Sequence, residues 1–346
     1  MHVLGIETSC DETSAAVVSE GRLVRSNVVF SQVELHGPYG GVVPEIASRS
    51  HVETLPGVID EAVRESGVAW ADIDAVAVTY GPGLASSLLV GVSAAKALAL
   101  RLDVPLVAVN HLQAHIYSVF LGAEAPQPSE VCPFLALVVS GGHTCLVRVD
   151  ALGRYRLLGQ TIDDAAGEAF DKGANLLGLG YPGGPVIDRT AKAGRADAVA
   201  FPRGRQKADS NPLPHFDAEL CFSFSGLKTA LLYYLREHPA GDDPAAGADV
   251  AASYQEAIVD ALVDRCDRAL GGESILACVG GVSLNSRLRD RLQDMAEGRG
   301  IRLLLAASRH CADNAAMIAG LAGAGEGLRG EGVMELDADP NLPLTE

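Results

Sequence analysis

Two histidines one helical turn apart, in the run His111-Leu-Gln-Ala-His115, are the residues whose spacing says most about chemistry. On a helix, positions four apart share a face, so both imidazoles can reach one metal ion. Nine histidines in 346 positions give about 0.2 such pairs by chance, and two half-buried histidines packing on a helix produce the same spacing. A metal needs further ligands. Asp313, in Cys-Ala-Asp-Asn at a predicted helix start, offers a carboxylate. Two His and one carboxylate with open positions favour iron(II), with zinc in a catalytic setting as the alternative. Spacing by itself does not bring Asp313 to the histidines.

Three glycine turns form a second set. Val138-Val139-Ser140-Gly141-Gly142 and Gly280-Gly281-Val282-Ser283-Leu284-Asn285 each follow an apolar strand pattern, and Gly183-Gly184-Pro185 stands just before a helix. A single Gly-Gly is an ordinary tight turn; three of them suit backbone N–H groups closing on an anion. Acidic residues also fall in turns. Asp11, Glu12, Asp171 and Asp188 could hold ribose hydroxyls or an amine, or accept a proton, or simply cap and solvate. The basic residues gather in Arg203-Gly-Arg205-Gln-Lys207 and at Arg287, Arg289, Arg291, Arg299, Arg302 and Arg309, either as a solvated charge run or for phosphate contact.

The elements that must position these groups repeat. Val3–Glu7, Ser14–Ser19 and Leu23–Phe30 read as three short strands. A long amphipathic helix opened by Pro44-Glu45 and interrupted by Pro56 follows. Next come a strand at Ala75–Thr79, a Gly81–Gly83 turn, a helix near Leu84–Leu102, a strand at Leu106–Val109 and a helix at His111–Phe120 with Asn110 as N-cap. The same order then recurs. Phe134–Val139, Thr144–Val149 and Tyr155–Thr161 are three strands, and helices are expected at Glu168–Leu177, Leu227–Arg236 and Asp249–Leu270. A strand at Ile275–Val279, a helix at Leu284–Met295, a strand at Leu303–Ala306 and a helix from Asp313 close the series. Two such runs imply two α/β lobes: 1–130 and 131–312, the helix of about 313–326 free to pack back on the first lobe, and 327–346 as a peripheral tail.

Composition narrows the classes. The formal net charge of −17 opposes non-specific nucleic-acid binding, so an RNA substrate would need a local basic patch or one lent by a partner. Seven scattered cysteines without a Cys-x-x-Cys pair argue against a disulfide framework or zinc knuckle and suit a reducing cytoplasm. No signal-like segment precedes the first strand. The least polar run, 83–109, is broken by Lys96, Arg101 and Asp103, so no membrane span and no membrane partner are expected.

Taken in order, these residues resemble one family. The motifs are Ile6-Glu-Thr-Ser-Cys-Asp-Glu-Thr-Ser14, Gly41-Val-Val-Pro-Glu-Ile-Ala-Ser-Arg-Ser-His51, the His111/His115 helix, Val139-Ser-Gly-Gly-His-Thr144 and Gly167-Glu-Ala-Phe-Asp-Lys172. Tyr181-Pro-Gly-Gly-Pro185, Phe222-Ser-Phe-Ser-Gly-Leu-Lys228, Gly280-Gly-Val-Ser-Leu-Asn285 and Asp313-Asn314 complete the set. Running from residue 3 to about 325, it is similar to the bacterial TsaD family, tRNA N6-adenosine threonylcarbamoyltransferases. The resemblance implies a two-lobed actin-like ATPase (sugar kinase/Hsp70) fold with duplicated RNase H-like lobes. It also implies transfer of the threonylcarbamoyl group of threonylcarbamoyl-AMP to N6 of the adenosine 3′ of the tRNA anticodon. Carried over by position, His111, His115 and Asp313 would hold one divalent metal per subunit, iron(II) favoured and zinc possible. Val138, Val139, Ser140, Gly141, Gly142, Asp171, Gly184, Asp188 and Asn285 would hold the adenylate. Asp11 is the candidate group to receive the amine proton. The implied partners are tRNA, the paralogue TsaB and the small ATPase TsaE.

Other readings compete with it. A metalloprotease would need the Glu of His-Glu-x-x-His, where this chain has Leu112. A sugar kinase or actin-like ATPase shares the expected fold, but its Mg²⁺ would prefer oxygen ligands to a histidine pair. A non-catalytic scaffold paralogue would have no need of His111, His115 and Asp313.

Overall fold

The computed structural model describes every residue except 205–212, 214, 239–243 and 346. The chain divides into two compact units, the first made of 1–131, 151–153 and 306–346 and the second of 132–150 and 154–305.

The first unit opens with β1 (His2–Glu7), β2 (Glu12–Ser19) and β3 (Leu23–Ser31), then a short α1 (Val33–His36) and the long α2 (Pro44–Ser66). It continues through β4 (Ala75–Gly81), α3 (Ala85–Leu102), β5 (Leu106–Asn110), α4 (His111–Tyr117) and α5 (Pro128–Val131). The second contains β6 (Phe134–Val139), β7 (Thr144–Ala151), β8 (Arg154–Gln160), α6 (Ala166–Leu176), α7 (Gly183–Ala191), α8 (Ser225–Glu237) and α9 (Pro244–Ala269). It ends with β9 (Ile275–Val279), α10 (Ser286–Arg299) and β10 (Arg302–Leu305), after which α11 (Ala315–Gly323) returns to the first unit.

Both sheets obey one plan. Their strand orders are β3-β2-β1-β4-β5 and β10-β9-β6-β7-β8, each an antiparallel meander extended by two parallel strands beyond its first strand. This is the duplicated α/β topology that the sequence implies, and it makes the structure an actin-like ATPase fold.

In the first sheet, side-chain alternation splits β1 between two cores. Leu4 and Ile6 join Leu55, Ile59, Val92 and Ala95 from α2 and α3. Gly5 faces the other way, and a Cβ there would lie 2.5 Å from the Ala315 carbonyl oxygen of α11. α11 is buried nearly all round, which its run Ala-Ala-Met-Ile-Ala-Gly-Leu-Ala permits by keeping bulk off the strand. In the second unit, Leu135, Leu137 and Val139 pack with Phe170, Phe222, Phe224 and the α9 residues Tyr254, Ile258 and Leu262.

Two expectations change. α2 runs unbroken through Pro56, because that residue lies on the exposed face, where water can serve the carbonyl it leaves without a helical donor. The segment expected to be a peripheral tail is bound into the first unit. Val333 and Leu344 are buried, Asp339 N donates to Tyr80 O (2.7 Å), and Asn110 Nδ2 and Gln113 Nε2 donate to Pro343 O and Leu344 O (2.9 Å each). Backbone carbonyls make most of these contacts, so an acidic, proline-bearing composition does not reveal them. α3 is the one described helix with the length and apolarity of a membrane span (mean hydropathy 1.4). Its Leu88, Val92, Ala95 and Ala99 are buried in the unit's core, and Lys96 Nζ is bonded to Leu336 O at 2.6 Å.

Candidate active site

Local capping sets the first cluster. β5 ends at Asn110, whose side-chain oxygen accepts from Leu112 N (2.9 Å) and Gln113 N (3.2 Å). That cap starts α4 directly at the strand end and fixes where His111 and His115 project. At the start of α11, Ser14 Oγ takes the Ala315 N–H (2.9 Å) and Asn27 Oδ1 the Ala316 N–H (3.3 Å), so β2 and β3 hold the turn bearing Asp313. Asp313 Oδ1 consequently lies 3.0 Å from His115 Nε2 and 3.6 Å from His111 Nε2. One ligand atom from each of the three residues falls within 4.8 Å of the others. Both histidines are buried, their rings edge-on at 4.6 Å.

A second carboxylate stands behind the first. Glu7, fully buried at the end of β1, accepts from Ser9 N (2.5 Å), Thr79 Oγ1 (2.6 Å) and His111 Nδ1 (3.1 Å). Burial opposes charge on His111, but the Asp313 and Glu7 carboxylates outweigh it and push its pKa up to about 9. Burial likewise opposes charge on Glu7, and the His111 partner holds it below the usual carboxylate range. These groups fit a divalent cation. Two imidazole nitrogens already converge on one carboxylate oxygen, and His111 carries its carboxylate on the opposite nitrogen, as metal-bound histidines commonly do.

Asp11 is buried in the turn between β1 and β2. Burial, together with Asp11 and Asp313, drives the half-buried Glu12 carboxyl well above its ordinary range. The turn is held from behind by a chain of neutral partners. Val43 N donates to His36 Nδ1, His36 Nε2 to Gln32 Oε1, Gln32 Nε2 to His51 Nδ1, and His51 Nε2 to Cys10 O (2.9 Å). Burial lowers the His51 pKa, consistent with that neutral state.

The second cluster is a closed ring of elements in the other unit. The turn after β6 packs under α6, where Gly167 N donates to Ser140 O (3.2 Å) and a Cβ at Gly167 would meet that oxygen at 2.6 Å. On α6, Asp171 Oδ1 accepts from Gly183 N at the start of α7 (2.6 Å). On α7, Asp188 Oδ1 accepts from Ser286 Oγ at the start of α10 (2.8 Å). Asn285 caps α10 through Leu288 N (2.9 Å) and donates to Gln255 Oε1 (2.7 Å). Gly280, with φ +94°, packs on Val139 and closes the ring. The structure thus brings Val138, Val139, Ser140, Gly141, Gly142, Asp171, Gly184, Asp188 and Asn285 into one neighbourhood. Gly141, Gly142 and Gly184 face open space, as glycines bordering an anion would.

The basic residues behave differently. Arg203 pairs with Asp260, Arg287 with Glu256, Arg291 with both acids and Arg299 with Asp267, so these cations are internally matched. Arg205 and Lys207 lie outside the described residues. Residue spacing and composition do not mark Glu7, Ser9, Thr79 or the His36–Gln32–His51 chain as site residues. A charged residue closing an otherwise apolar strand was the available signal for Glu7.

Solved structures share this architecture at low identity. Component A of the Acidaminococcus fermentans (R)-2-hydroxyglutaryl-CoA dehydratase aligns with a TM-score of 0.53 and 14% identity, over 94% of this chain and all of that one. Full-length HypF in its phosphate- and nucleotide-bound form aligns at 0.55 and 14%, over 93% of this chain and 46% of its own. Fold and site together define an actin-like α/β protein with a candidate His/His/Asp metal centre in one unit and a glycine-lined ring in the other. Residues 23–320 match the model of TsaD, tRNA N6-adenosine threonylcarbamoyltransferase, and the chain belongs to that family. Relatives of that name include one from Anaeromyxobacter dehalogenans (54% identical, 98% of each chain) and one from Geotalea uraniireducens (52%, 92% of this chain and 90% of the other).

Proposed function

We propose that the chain transfers the threonylcarbamoyl group of threonylcarbamoyl-AMP to N6 of the adenosine 3′ of the anticodon in tRNAs reading codons that begin with A. Family membership over residues 23–320 carries the reaction, and the convergence of His111, His115 and Asp313 carries its dependence on one divalent metal. The donor set favours iron(II), with zinc as the alternative. When bound, the metal would supply Lewis-acid polarisation and a template for donor oxygens.

The chain's own residues do the rest. The Ser140–Gly142 turn offers backbone N–H groups to the donor phosphate, and Asp171, Asp188 and Asn285 border the adenosine. The N6 lone pair forms the new N–C bond at the carbamoyl carbon while the C–O bond to phosphate breaks, its electron pair leaving with AMP. The amine is a weak nucleophile because its lone pair is delocalised, so its proton must be taken as the bond forms, and Asp11 is the carboxylate assigned to it. The −17 charge supports work with basic or scaffolding partners, TsaB and TsaE, rather than unaided tRNA capture. Seven scattered cysteines without a Cys-x-x-Cys pair suit a reducing cytoplasm.

The test is a transfer assay with purified partners, tRNA and threonylcarbamoyl-AMP, comparing wild type with a folded His111→Ala protein of measured metal content. Modified adenosine from wild type alone is the expected result. No product from wild type, with verified donor and partners, would overturn the reading.

A further inference from the structure

We propose that Glu7 is the positioning residue of the metal centre, fixing the His111 proton on Nδ1 and so presenting Nε2 as the ligand atom. This inference rests on reading His111, His115 and Asp313 as metal ligands.

The geometry is one-sided. Glu7 Oε1 is taken by Ser9 N, while Oε2 accepts from both Thr79 Oγ1 and His111 Nδ1. Ser9 Oγ stands 3.3 Å from the same Nδ1 and adds a second, weaker acceptor. Nδ1 therefore faces acceptors and must carry hydrogen, which leaves Nε2, 3.6 Å from Asp313 Oδ1, as the lone-pair nitrogen once a cation displaces its proton. His115 has no such support: its Nδ1 is buried without a hydrogen-bond partner among the described residues. Both buried imidazoles face Asp313 through Nε2, but only His111 has a carboxylate on Nδ1, and that carboxylate ends a core strand where an apolar side chain of similar volume is often as stable or more so.

Glu7→Gln separates charge and tautomer from packing. Ser9 N–H would hold the amide oxygen at the Oε1 position, and the NH₂ group would then sit against His111. A donor facing Nδ1 forces the proton to Nε2, the wrong nitrogen for the metal. The effect should resemble the loss of an outer-shell carboxylate, about 10- to 100-fold in metal affinity. The full chain, stripped of metal, is titrated with Co²⁺ by calorimetry and by its visible d–d spectrum, wild type against Glu7→Gln. Weaker binding with an altered spectrum is expected. Wild-type affinity and spectrum in the variant would overturn the role. In parallel, ¹⁵N-histidine NMR of Zn²⁺-loaded wild type should show His111 protonated at Nδ1 and ligated through Nε2. The reverse assignment would overturn the role even if the variant fails to fold. No stoichiometric Co²⁺ binding by wild type would remove the metal reading itself, and this role with it.

Discussion

The turns after β1 and β6 occupy the same place in two copies of one topology, yet they present opposite surroundings. The first, Thr8-Ser9-Cys10-Asp11, is tied down on all sides: Thr8 Oγ1 donates to Ser87 O (2.9 Å), Ser9 N to Glu7, and Gln32 N to Asp11 O (3.1 Å). The second, Ser140-Gly141-Gly142-His143, is closed by Ser140 N to His143 O (2.8 Å) and leaves its two glycines facing space. The first turn therefore lies in a unit whose strand ends and α4 gather carboxylates and imidazoles, whereas the second presents backbone N–H groups. The former suits a cation, the latter an anion. Strand order sets where such a turn falls, and the side chains gathered around it set the charge it faces.

The sharpest way to break the comparison is to remove a histidine. In the metal-free protein, His111→Ala strands a buried Glu7 carboxylate, a loss of about 3–5 kcal/mol for breaking a buried pair. His115→Ala leaves behind only Asp313, which is part-exposed and still faces His111, and should cost clearly less, although both should abolish metal binding. Urea unfolding of the two metal-free variants checks the order, and equal losses would contradict the asymmetry. The wild-type pH profile bears on the same point. A His111 pKa of about 9, raised from 6.5, gives stability fully present below pH 6.5 that is lost as pH rises through 9, about 3 kcal/mol in all. Bound metal should remove that slope, because the proton has already left.

On the anion side, two neighbouring glycines should respond in opposite ways. Gly167→Ala places a methyl 2.6 Å from Ser140 O, so α6 or the turn must shift, at about 1–3 kcal/mol of stability. Gly141→Ala meets nothing within 4 Å and should leave stability within about 0.5 kcal/mol. Its methyl would instead occupy the approach to the turn, and losing one charge-assisted hydrogen bond there, about 1.5–3 kcal/mol, weakens the adenylate roughly ten- to hundredfold. Thermal melts and donor-analogue binding separate the two. A Gly141→Ala protein that binds normally would leave the turn with a purely structural role.

Legibility in the sequence followed the range of the interaction. The duplicated strand order and the His111/His115 face could be read because period 2 and period 3.6 are local signals. Asp313 could be named as a candidate carboxylate, but its place beside the histidines could be read only through the family resemblance, since about 200 residues separate them and the contact depends on α11 returning to the first unit. Glu7 looked like the end of a strand because its bonds run to Thr79 and His111, on other elements. Pro56 suggested a break that an exposed helical face tolerates. The tail at 327–346 carried too few apolar residues to show that its carbonyls bind Asn110 and Gln113.

That tail supplies the smallest expected effect and the finest comparison. Asn110 works in two directions, its Oδ1 capping α4 and its Nδ2 holding Pro343 O at 2.9 Å. Asn110→Asp keeps the capping oxygen, and a carboxylate suits a helix N-terminus, but it has no donor for the tail. The lost bond is an ordinary one, so about 0.5–1.5 kcal/mol of stability should go while α4 stays formed. Asn110→Ala removes both functions and should cost about 1 kcal/mol more through the cap. Hydrogen exchange would locate the difference: Asn110→Asp should speed exchange along the tail at Asp339 and Leu342, whose amides are bonded to Tyr80 O and Asp339 O, and leave α4 protected. If α4 loosened together with the tail, the C-terminal segment would belong to the fold of α4 itself rather than to a strap laid across its first turn.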